Sequence, residues 1–106
     1  MRLVSWTFLT NHGHVLVCLA RDPYADVARL AEQLGVEAEE AAQVLDDLVT
    51  SGYVDLQREK GRVLRRVVNR NLALRHPIEA HHPVGRLLDA VQTTSETLQE
   101  RVRSAD

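Results

Sequence analysis

The chain has 106 residues, 44% of them hydrophobic and 26% charged, with a formal net charge of −2. That length holds one domain around a small core, and the composition is globular rather than disordered. A lone cysteine, Cys18, excludes a disulfide framework, and no apolar run reaches bilayer-spanning length, so a cytoplasmic protein without a membrane partner is expected.

Residues 1–8 mix Leu3, Val4, Trp6 and Phe8 with Ser5 and Thr7, a segment either extended or packed down. Thr10 or Asn11 can cap a helix over Asn11 to Arg21, with Val15, Leu16, Leu19 and Ala20 inward and Asp22-Pro23 ending it. Cys18, inside its apolar run, reads as a small core residue. A second helical pattern has Val27, Leu30, Ala31 and Leu34 on one face and stops at Gly35, a residue suited to a left-handed helix end. A third, over 36–51, has Ala41, Val44, Leu45 and Leu48 at the same spacing, with Val49 beside them, and ends at Gly52. Two short helices joined by a tight turn form a helix-turn-helix.

Beyond Tyr53 the pattern changes to strand, turn, strand: Val54 to Arg58, a tip at Lys60-Gly61, then Arg62 to Asn69. Val63, Val67 and Val68 supply β-branched character, although the alternation is imperfect. Helix-turn-helix followed by hairpin is the order of a winged helix. After a connector over Asn71 to Pro77, a last helix is predicted from Val84 to Arg103. Its apolar stripe is Val84, Leu87, Leu88, Val91, Leu98 and Val102, interrupted at Thr94 and Ser95. At the usual rise such a helix is about 30 Å long, more than a domain of this size covers, so its stripe is expected to form a homodimer interface. The fold class is therefore mainly α with a small β-hairpin: a winged helix-turn-helix over 1–82 with an added C-terminal dimerisation helix over 83–106.

Charge is distributed unevenly. From Asp22 to Asp55 there are nine acids against one base, Arg29, and from Arg58 to Arg75 seven bases against one acid, Glu59. A chain so polarised presents one negative and one positive surface.

The segments WTFLTNHGHVLVCLARDP and LRHPIEAHHPVG, with SGYV between them, resemble a family of small winged-helix regulators of actinobacteria, related in architecture to the MarR and ArsR groups. The resemblance covers Ser5 to Val91. It implies transcriptional regulation through double-stranded DNA, with the helix over 36–51 in the major groove. The chain departs from its relatives along that helix. Where they carry ITERAVQRIVADLEEAGYL, Glu39 stands at the first arginine, Ala42 at the glutamine and Gln43 at the second arginine. Leu64-Arg65-Arg66 replaces an Asn-Arg-Tyr, with an apparent one-residue insertion near Lys60.

Glu39, Glu40 and Gln43 are thus the candidate base-reading residues, and Arg58, Lys60, Arg62, Arg65 and Arg66 the candidate phosphate contacts. Glutamate can accept from cytosine N4 and glutamine can pair with adenine. Acids in a helix's first turns also complement its macrodipole by about 0.3–1 kcal/mol each, which accounts for them without function. The alternative is a winged helix whose acidic helix docks a basic protein partner. The hairpin bases read equally as a solvated edge, or as partners for the acids of a neighbouring copy.

His76, Glu79, His81 and His82, with His12 and His14 elsewhere, are the only ligand-like cluster. Adjacent His81 and His82 diverge, and His12 and His14 occupy different helical faces, so connector hydrogen bonds and capping are expected rather than metal. There is no glycine-rich phosphate loop and no nucleophile elbow, and Asp46 and Asp47 are consecutive and point apart. Neither an enzyme nor a cofactor is expected.

Overall fold

In the computed structural model, residues 6–91 are described. Leu3 and Val4, and the predicted last helix beyond Val91 with Leu98 and Val102, lie outside the described residues. Helix α1 spans Asn11–Arg21, α2 Val27–Leu34 and α3 Ala38–Thr50; strands β1 (Val54–Glu59) and β2 (Arg62–Val68) follow. Residues 84–91 are again helical and are called α4. This is a mainly helical winged helix-turn-helix with a two-stranded antiparallel wing.

Local chemistry fixes each boundary. The Thr10 hydroxyl accepts from the Gly13 amide at 3.3 Å and starts α1. The Asp26 carboxylate accepts from the Arg29 amide at 2.9 Å and starts α2. At the end of α2 Gly35 has φ +72°, and the Val36 amide reaches back to the Ala31 carbonyl at 3.0 Å. This reverse turn closes α2 and aims α3 across it. Helix α3 begins later than its periodicity suggested, at Ala38. Its N-cap Glu37 makes no side-chain capping bond, so Glu39 and Glu40 supply the favourable negative charge there.

The core is the sum of the predicted faces. Val15, Leu16 and Leu19 of α1, Leu30 and Ala31 of α2, and Ala41, Val44, Leu45 and Leu48 of α3 are all buried. Tyr53, Val54 and Val68 extend this core into the root of the wing, and the Tyr53 hydroxyl donates to the Ala73 carbonyl in the connector. Trp6 and Phe8, by contrast, stay exposed and stack edge to face with their ring centroids 5.0 Å apart.

Helix α4 is packed into the same core. Val84 is 1% and Leu88 0% exposed, and the Val84 amide donates to the Leu72 carbonyl at 2.8 Å. Gly85 lies so close to the connector that a Cβ there would come within 2.9 Å of the Arg70 carbonyl oxygen. Arg70 in turn bonds the Gly85 carbonyl and the Asp89 carboxylate. The two expected units, 1–82 and 83–106, therefore share one core as far as residue 91. Val84 and Leu88, expected in a dimer interface, leave no surface for a second copy because the protomer's own body covers them; Leu87 and Val91 remain half-exposed.

Candidate nucleic-acid interface

The wing is a two-residue hairpin. Lys60 (φ +53°) and Gly61 (φ +79°) both have positive φ, the pattern whose twist matches that of the flanking strands. Its register runs Val54 opposite Val68, Leu56 opposite Arg66 and Gln57 opposite Arg65, then shifts so that Arg58 faces Val63 and Glu59 faces Arg62. Leu64 is the extra residue of this bulge. That explains the broken alternation along β2 and leaves Leu64 48% exposed.

The bulge divides the basic residues into two groups. On the tip side Arg58, Lys60 and Arg62 are exposed and, among the described residues, make no side-chain hydrogen bond or ion pair. On the root side the arginines are engaged. The Arg66 guanidinium donates to the Ala25 carbonyl at 3.0 Å, and its amide donates to the Pro23 carbonyl at 2.8 Å. Arg65 lies over the Tyr24 ring at 5.6 Å from the centroid and donates to Gln57 Oε1 at 3.2 Å. Arg66, expected to grip phosphate, is thus half-buried and spent on the α1–α2 loop. Sequence spacing could not show that: adjacent arginines in a strand look alike until the loop that covers them is placed.

Helix α3 turns Glu39, Glu40, Ala42, Gln43, Asp46 and Asp47 outward. The start of α1 lies alongside part of this acidic row. Asn11 Nδ2 donates to Glu40 at 3.2 Å, and His12 Nε2 sits 2.9 Å from Asp47 Oδ2. The His12 hydrogen bond, joined by one from Gln43 at 3.2 Å and by the charge of Arg75, holds the Asp47 carboxyl below the usual carboxylate range. The Gln43 amide expected to read adenine is therefore committed to Asp47, and Glu39 is the candidate reader with no such engagement among the described residues. The roles of Asn11, His12 and Tyr24 in this arrangement carry no sequence signature beyond their residue types.

No family model matches the chain, and neither does any curated protein. Among solved structures the chain is similar to the zinc-dependent MarR family transcriptional regulator AdcR in its Zn(II)-bound state. The identity is 23%, the match covers 99% of this chain and 77% of that one, and the TM-score is 0.49. A likeness at this level assigns no role to any residue here.

The histidines of the connector are used locally. His76 Nδ1 accepts from the Ile78 amide at 3.1 Å, and His82 Nδ1 pairs with the Arg86 guanidinium at 3.1 Å. Among the described residues no group of three or more His, Cys, Asp or Glu side chains could hold a metal ion. Nor, among them, is any helix long and apolar enough to cross a membrane. Burial pushes the Cys18 thiol pKa up, away from reactivity. An open groove of about 820 Å³ lies between the start of α1, the end of α3 and α4, with Leu16, Leu48, Tyr53 and Leu87 in its wall.

Proposed function

We propose that the chain is a DNA-binding transcriptional regulator of MarR-like architecture, working in the cytoplasm as a homodimer. The observation that carries this reading is the wing tip. Three cations, Arg58, Lys60 and Arg62, stand on a hairpin that follows directly on a helix-turn-helix, with no intramolecular side-chain partner among the described residues. Such an arrangement suits phosphate contacts, which fix register without reading sequence. The first half of α3 then faces the major groove, where Glu39 accepts from cytosine N4. Glu40 and Gln43 join it after releasing Asn11 and Asp47. The dimer forms through residues 83–106, using Leu87 and Val91 together with Leu98 and Val102.

The test is fluorescence anisotropy on a duplex carrying the promoter of the chain's own gene, across a salt series. Binding should weaken steeply with salt, and each tip cation replaced by alanine should lower the log–log salt slope by about 0.9. The acidic row of α3, with Gln43 tied to Asp47, favours one competitor, a winged helix that docks a basic protein surface. Absence of duplex binding even at low salt would select that reading.

A further inference from the structure

We propose that Arg65, together with Tyr24, positions the wing: the pair clamps the hairpin root so that the tip cations are held at one distance and angle from the body. The proposal rests on the duplex-binding reading above and assigns Arg65 a role other than phosphate contact.

Three observations converge on it. An isolated two-stranded hairpin is marginal in water, so its direction depends on what fastens its root. Beyond Val54 and Val68 the fastening is made by consecutive residues of β2. Arg66 bonds the Pro23 and Ala25 carbonyls, and Arg65 covers the Tyr24 ring and braces Gln57 across the ladder. Second, Arg65 is the residue immediately after the bulged Leu64, hence the last anchored side chain before the tip. A bulge bends its strand and increases the twist, so a small rotation at Arg65 becomes a displacement of Arg58 and Arg62. Third, the Nε atom of Arg65 is buried without a partner, although the residue lies on a strand with solvent beside it. A guanidinium kept there is held by its ring and its ladder neighbour, not by its hydration. Tyr24, 61% exposed, is the surface on which it rests.

The experiment compares wild type, Arg65→Ala, Tyr24→Ala and Tyr24→Phe by two measurements. One is the heteronuclear NOE of the Lys60 and Gly61 amides in the free protein; the other is duplex affinity over a salt series. Both alanine variants should lower the tip NOEs. They should weaken duplex binding by about two- to fivefold at every salt concentration, the factor expected for an exposed cation–π contact. The salt slope should stay unchanged, and Tyr24→Phe, which keeps the ring, should behave as wild type. Tyr24→Ala removes no charge, so its agreement with Arg65→Ala separates positioning from phosphate contact. An Arg65→Ala variant with unaltered tip NOEs and a salt slope reduced by about 0.9 overturns the proposal. If wild type binds no duplex, the functional reading fails alone. The NOE comparison then decides: a drop in both alanine variants supports the clamp, and unchanged values refute it.

Discussion

Replacing Leu88 by alanine asks whether α4 belongs to the body of the protomer or to an interface between copies. Leu88 is 0% exposed, enclosed in the same core as Leu30 and Val54. The substitution removes about three methylene equivalents at ~0.8 kcal/mol each, a transfer loss of about 2.4 kcal/mol. The cavity left behind adds to this, because a core closed by three helices and a hairpin root relaxes incompletely, which gives about 3–4 kcal/mol in all. For a domain of this size that corresponds to a fall in melting temperature of roughly 12–30 °C. Urea unfolding followed by far-UV circular dichroism, at two protein concentrations tenfold apart, measures it. Leu88→Ala should lower the midpoint equally at both concentrations. Leu87→Ala, half-exposed on the same turn, should cost about 1 kcal/mol at most. A Leu88→Ala loss below about 1 kcal/mol, or a midpoint that falls as the protein is diluted, would refute the packing argument and return Leu88 to an intermolecular contact.

Three further outcomes follow from the geometry. Asp47 has its pKa lowered by His12, so their bond contributes stability above the ordinary carboxylate range that is lost as pH falls through the lowered value. His12→Ala should therefore flatten the acid limb of a stability–pH profile and leave the alkaline limb unmoved. Gly35→Ala places a side chain at φ +72° in open space, a conformational strain of about 1–2 kcal/mol visible as a lower melting temperature without loss of helix content. Gly85→Ala drives a methyl to 2.9 Å from the Arg70 carbonyl and should destabilise by about 1–3 kcal/mol, with chemical-shift changes centred on Arg70 and Leu72.

Periodicity was enough to place the helices, because each apolar face recurs at a spacing that only a helix can bury. Asn11–Arg21 emerged with its predicted bounds, and so did the Lys60-Gly61 tip, since positive φ at both positions is what a two-residue hairpin turn demands. Burial of a helix is legible in this way, but the identity of its partner is not. Val84 and Leu88 have the same spacing whether they meet a second copy or their own core. What decides between the two is the connector, whose Leu72 and Arg70 carbonyls accept from the Val84 and Gly85 amides and draw α4 inward. Charge shows the same limit. Composition groups Arg58, Lys60, Arg62, Arg65 and Arg66 into one basic stretch, yet a bulge at Leu64 and a loop carbonyl at Ala25 divide them. A count of charges measures the long-range field, whereas a contact with a phosphate needs a guanidinium or ammonium that nothing else holds. Three cations on this wing meet that condition, fewer than the sequence suggests. A correspondingly shallow salt dependence, lost cation by cation across Arg58, Lys60 and Arg62, is the behaviour this geometry requires.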